Sequence, residues 1–189
     1  MYLFLEDNRV AYTDERTVFA GWDKTSVIND GRNPAGHLPV ATIDGKHYTE
    51  HISIARYVAR RLGQYGSDIE RDYFADAVAD AYQEWRNTWA HSLSLAAGSE
   101  EKSKHVKEVA PKFAKVFETF LARYPEGPFF TGTQFTFADA AVYQILHDEA
   151  KLNSFKVDAA TFPLLTKFYA AVEARPNIAA FLSSSRRHE

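Results

Sequence analysis

The apolar pattern of this chain changes period once, near residue 65, and that switch limits what the chain can fold into. Ahead of it, PVATID (39–44) reads as a strand, GK (45–46) as a tight turn and HYTE (47–50) as a second short strand, which together make a hairpin. ISIARYVARRL (52–62) then places apolar residues at 52, 54, 55, 58, 59 and 62, the spacing of a helix. Thr49 is the expected N-cap of that helix and Gly63 its stop. GQYGSD (63–68) reads as a linker. Beyond it nearly everything has helical spacing: 68–97 with Tyr82, Trp85 and Trp89, then 100–123, 136–150, 163–174 and 177–183, interrupted by the turn-rich YPEGPFFTGTQ (124–134). The expected organisation is a small α/β domain over 1–64 followed by an all-helical domain over 68–189.

A lone hairpin is only marginally stable, so the front domain needs further strands and a helix against its face. The opening stretch supplies two candidates. MYLFL (1–5) is apolar, and residues 12–18 alternate like a strand.

Composition excludes several functions. The 189 residues are 46 % hydrophobic and 25 % charged, with a net charge of -3, so no basic field invites nucleic acid. No cysteine is present, which removes disulfides, thiolate metal sites and cysteine nucleophiles. The seven histidines never recur at the i, i+4 spacing of a helical metal site, so no metal is expected. No apolar run approaches the ~18 residues of a membrane span. The first residues lack a basic region followed by an apolar core, which leads to the expectation of a cytoplasmic protein.

Three stretches carry functional signals. In AGHLPVATIDG, a cis Leu38–Pro39 bond turns the Leu38 backbone outward, where its N–H and C=O can take an extended peptide as an added strand. An ordinary turn before a strand is the alternative. Thr49-Glu50-His51 opens a helix whose free N–H groups favour a carboxylate, while Glu50 can pair with an amine; a simple capping turn is the alternative. Both features lie at one end of the hairpin–helix unit. In GTQFTFAD, Thr136 and Asp139 form a capping box worth ~1 kcal/mol, a structural device.

NPAGHLPVATIDGKHYTEHISIARYVARRLG, followed by GTQFTFADAAVYQIL, resembles a soluble glutathione transferase, and ADAVADAYQEW looks most like the sigma class. The resemblance implies a thioredoxin-like glutathione-binding domain, incomplete or rearranged here, followed by an all-α domain that holds a hydrophobic co-substrate. It implies that Leu38 makes two backbone hydrogen bonds to the cysteinyl unit of glutathione with Pro39 cis, and that Glu50 holds the γ-glutamyl group. It further implies that Trp22 and Lys24 lie near the glycyl carboxylate, with His37 where Gln or Lys is usual. His51 stands where the family has Ser or Thr; a histidine can donate to a carboxylate, and a surface histidine with no ligand role is the alternative.

Leu5 to Asp14 resembles the end of the family's first helix, so the first strand and its catalytic Tyr or Ser have no counterpart. Tyr2 takes that role only if MYLFL is the first strand. The slot of the missing strand then needs a filler: MYLFL itself, a partner's segment or a rearranged pairing. The expected activity is binding glutathione, as a substrate, and conjugating it to small hydrophobic electrophiles, in a detoxifying role. The alternatives are an inactive scaffold on the same fold, or a holder of hydrophobic ligands using Tyr82, Trp85, Trp89 and Phe113. The resemblance also implies a homodimer, with Asp76, Asp80 and Glu84 where such dimers place acids; a solvated face is the alternative.

Overall fold

The computed structural model of the chain describes residues 1–17 and 23–187. Two short helices, α1 (Tyr2–Asp7) and α2 (Lys24–Asn29), precede a hairpin of β1 (Val40–Ile43) and β2 (Lys46–Thr49). The hairpin is antiparallel, with Val40 opposite Thr49 and Ile43 opposite Lys46. Its turn is Asp44–Gly45, at φ 51° and 73°, one residue earlier than the expected GK pair. Those left-handed angles match the twist of a two-residue hairpin loop, and Asp-Gly tolerates them.

α3 (His51–Arg61) follows directly. Ile52, Ile54, Ala55 and Ala59 form its buried stripe. Thr49 is not its cap: the N-cap is Glu50, at φ 65° and with no side-chain capping bond. Thr49 is the last residue of β2, paired with Val40, so strand pairing wins over capping. Gly63, at φ 64°, ends the helix as expected. Tyr48 stacks on Tyr57 at 4.4 Å between centroids and donates to its hydroxyl at 3.0 Å, fastening hairpin to helix.

The helical body comprises α4 (Ile69–Leu93), α5 (Glu100–Lys104), a π-helical turn at His105–Val109, α6 (Ala110–Leu121), α7 (Phe137–Leu152), α8 (Pro163–Glu173) and α9 (Pro176–Leu182). Its core is aromatic. Trp85 is fully buried, stacked on Phe113 and Phe117 at 5.7 and 5.6 Å. Tyr82 is buried too, and Trp89 packs on the same core, so these rings are structural rather than a ligand wall.

Buried carboxylates tie the body together. Glu149 accepts from Trp85 Nε1 at 2.8 Å, pairs with His105 Nε2 at 2.8 Å and accepts from Asn153 Nδ2 at 2.7 Å. Glu118 of α6 accepts the Leu164 and Leu165 N–H groups at 2.9 and 2.8 Å, capping α8 from a distant element. The capping box forms as expected, and Asp139 also accepts the Phe130 N–H at 2.9 Å. Burial raises the Asp139 pKa to about 6, against the pull of those hydrogen bonds.

Three expectations fail here. MYLFL is not a strand: Met1 is the N-cap of α1 and Tyr2–Leu5 lie within it, where Leu3, Phe4 and Leu5 are buried and Asp7 is gripped by Arg175 at 2.8 and 2.7 Å. A tertiary pocket for three consecutive apolar residues overrides their β propensity. Residues 11–17 form no strand either, and Val18 lies outside the described residues, so the described sheet has two strands. GQYGSD is no loose linker: Tyr65 is buried against Phe137, beneath Arg60, and donates to Asp76.

Candidate functional site

Asn33 organises the loop ahead of the hairpin. It is buried, accepts from Ala35 N–H at 2.9 Å and donates to the His37 carbonyl at 2.7 Å. Those two bonds fold Asn33–Pro34–Ala35–Gly36 into a turn and fix where residue 38 emerges. Asn33 is a positioning residue the motif reading passed over, although its Asn-Pro pair is a turn signal.

Leu38 then presents itself to solvent. The Leu38–Pro39 bond is cis, as expected. Leu38 is 53 % exposed, and neither its N–H nor its C=O has a hydrogen bond among the described residues. A backbone donor and acceptor left open side by side are what an extended peptide needs. Because Val40 pairs with Thr49, Leu38 lies at the same end of the hairpin as Glu50 and His51. The left-handed backbone of Glu50 is the sparsely populated kind that gathers at binding sites. Its side chain is exposed, and the residue is the N-cap of α3, whose first N–H groups have no side-chain cap.

His51 departs from expectation. It is not a surface histidine: burial, then the nearby Arg86 charge, lowers its pKa from 6.5 to about 4. Its ring meets Tyr82 edge-on at 5.9 Å, and Nε2 is buried without a partner among the described residues. The ring is therefore neutral near pH 7 and faces the helical body. His37 is exposed, and among the described residues only its carbonyl is engaged. Trp22 lies outside the described residues. Lys24 begins α2, behind the Asp23 cap.

A groove of about 1110 Å³ runs beside Leu38. It is lined by β1, by Ile54 and Val58 of α3, and by Met1, Tyr2 and residues 10–17. The outer edge of β1 carries no backbone hydrogen bond among the described residues. Two phenol groups line the groove. Tyr2 donates to Asp14 at 2.7 Å and Tyr12 to Glu6 at 2.7 Å. In both, burial and then the carboxylate partner raise the pKa, so both stay protonated.

The acidic stripe on α4 also reads differently. Arg56 of α3 reaches Asp76 at 2.6 Å and Asp80 at 2.5 Å, so these acids bind the chain's own front domain to its body. Among the described residues no three His, Asp or Glu side chains gather as metal ligands do. No described helix is long and apolar enough to cross a membrane.

Comparisons with known proteins agree with this architecture. The family described as "Glutathione S-transferase, C-terminal domain" matches residues 83–185. Glutathione S-transferase 4 of Caenorhabditis elegans is 27 % identical over 184 residues, covering 94 % of this chain and 86 % of the relative. Probable glutathione S-transferase 6 of the same organism is 31 % identical over 143 residues, covering 72 % and 67 %. Among solved structures, the Pi-class glutathione S-transferase of Onchocerca volvulus superimposes with a TM-score of 0.85 at 22 % identity, over 96 % of this chain and 84 % of that one.

Proposed function

The chain belongs to the glutathione S-transferase family, and from that premise we propose that it binds glutathione at the open end of its hairpin. The carrying observation is the exposed backbone of Leu38, unpaired among the described residues, at the same end of the hairpin as Glu50. The cysteinyl unit pairs with the Leu38 N–H and C=O as an added strand. Glu50 takes the γ-glutamyl ammonium, and the first N–H groups of α3 take its carboxylate. Pro39 shapes the turn. The family resemblance assigns the glycyl end to His37, Lys24 and Trp22, of which Trp22 lies outside the described residues, and His51 backs the γ-glutamyl pocket. In this reading residues 1–64 bind the tripeptide, residues 68–189 hold the hydrophobic partner, and two chains form a homodimer.

The reaction is conjugation. The glutathione sulfur attacks an electrophilic carbon, the leaving group departs with its electron pair, and the thiol proton passes to solvent. A hydroxyl donated to the sulfur favours the thiolate and supplies a few kcal/mol. The two phenol groups lining the groove are already donating to Asp14 and Glu6. That observation favours a second reading, glutathione binding with slow turnover.

Calorimetric titration of glutathione, paired with turnover of a chlorinated nitrobenzene, tests both. The proposal expects binding that weakens roughly tenfold in Glu50→Ala, as for a lost charge-assisted hydrogen bond. Turnover in wild type selects conjugation, and binding without turnover selects the second reading. No binding overturns both.

A further inference from the structure

The outer face of α5, the π-helical turn and α6 reverses the charge of the chain. The chain as a whole has a net charge of -3. Over residues 104–115 the exposed charged side chains are Lys104, Lys107, Glu108, Lys112 and Lys115, four cations and one anion. The buried side fixes which residues point outward: His105, Ala110, Ala114, Phe117 and Leu121 face the core, and α6 packs on α4 and α8. Lys104 and Lys107 are three apart, as are Lys112 and Lys115, so each pair falls on neighbouring turns of one face. The π turn lies between the pairs, with the Ala110 N–H reaching back five residues to the His105 carbonyl. Its wider repeat carries Lys107 to Lys112, five residues on, along the same side. At 1.5 Å per residue the stripe runs about 17 Å.

The four ammonium groups are uncommitted. None is in an ion pair among the described residues, whereas Arg56, Arg71, Arg175 and Arg186 are each held by a carboxylate. Glu108 stands four residues from both Lys104 and Lys112, the spacing of a helical ion pair, yet it pairs with neither. The next carboxylate along α6, Glu118, is turned inward to cap α8. The stripe therefore keeps its positive charge on the surface.

We propose that this lysine stripe docks the protein on an anionic lipid surface. Lysine is a hydrated point charge, without the planar fork that reads one phosphate or carboxylate in a fixed geometry. No exposed aromatic ring stands among the four lysines to stack on a base or anchor a protein segment. A bilayer requires neither, because its headgroups are mobile and spread their charge over a plane. Each lysine held near such a plane is worth about fivefold in partition. Carboxylates farther off than about 8 Å are largely screened at physiological salt, so the acidic remainder of the chain opposes docking only weakly. The stripe shares no residue with the groove beside Leu38, and the inference stands apart from glutathione binding.

The test is co-sedimentation of the whole chain with vesicles of phosphatidylcholine, with and without phosphatidylserine, at about 0.1 M salt. The expected result is binding to the vesicles that contain phosphatidylserine, none to phosphatidylcholine alone, and release at about 1 M salt, where charges are screened within about 3 Å. Lys112→Gln combined with Lys115→Gln weakens binding roughly thirtyfold, and Glu108→Gln strengthens it about fivefold. A loss in one variant and a gain in the other separate the charge of the stripe from damage to the fold, which would move both the same way. Equal binding to the two kinds of vesicle, binding that survives about 1 M salt, variants that bind as wild type does, capture by polyglutamate or duplex DNA without capture by the anionic vesicles, or no binding at all each overturns the proposal.

Discussion

The buried carboxylates of the helical body and the mouth of the hairpin treat their hydrogen-bonding groups differently. In the helical body, Glu118, Asp139 and Glu149 are buried and each is met by two or more donors. At the mouth of the hairpin, among the described residues, Leu38 leaves a donor and an acceptor unpaired and the outer edge of β1 has no partner, while Glu50 holds a left-handed backbone. Unpaired groups in water cost little, whereas unpaired groups in a core cost a few kcal/mol each. The body's buried carboxylates thus contribute to stability, and under the proposed function the open backbone groups of the front are where the tripeptide pairs.

The largest expected break of that contrast is Trp85→Ala. It removes a fully buried ring and leaves Glu149 short of a donor, so unfolding in urea should show a loss of about 4 kcal/mol. Next is Asp139→Ala, which strands the Phe130 and Thr136 N–H groups inside the core; the same titration should show a loss of about 2 kcal/mol. Neither change should alter glutathione affinity in the protein that remains folded.

Acidification separates the halves by sign. His51 has its pKa lowered from 6.5 to about 4, so between those values the unfolded chain binds more protons and stability falls as pH falls. Asp139 has its pKa raised from 3.8 to about 6, so across about 4 to 6 the folded chain binds more protons and stability falls as pH rises. Thermal unfolding of His51→Gln should lose the first dependence, and Asp139→Asn the second. Identical pH profiles in wild type and both variants would contradict these assignments.

The smallest expected effect is on the front. Glu50→Gly relieves the left-handed backbone and should raise stability by about 1 kcal/mol while weakening glutathione. A variant that gains stability and loses ligand would mark Glu50 as a residue kept for binding.

How much of this was legible in the sequence follows the same division. Period and composition gave the hairpin, α3, the long helices and the Thr136–Asp139 box, because each is written in local spacing. The family resemblance pointed to Leu38, Pro39 and Glu50. What failed depended on distant partners. Leu3, Phe4 and Leu5 are β-compatible but meet a pocket beneath α9 and α7; His51 reads as surface until Tyr82 covers it; Tyr65 reads as linker until Phe137 receives it. Asp76 and Asp80 look like a free stripe until Arg56 arrives from α3. The π turn and Glu149's role have no local signature, since both depend on which groups α4, α7 and His105 bring together.

The central claim is that Leu38's backbone, aided by Glu50, grips a tripeptide edge-on. Amide NMR of the isotope-labelled chain during glutathione titration tests it most directly. The account predicts that the Leu38 N–H signal shifts and becomes protected from exchange, with smaller shifts at Glu50 and His51 and none near His105. Saturable binding that leaves Leu38 and Glu50 unmoved would contradict it.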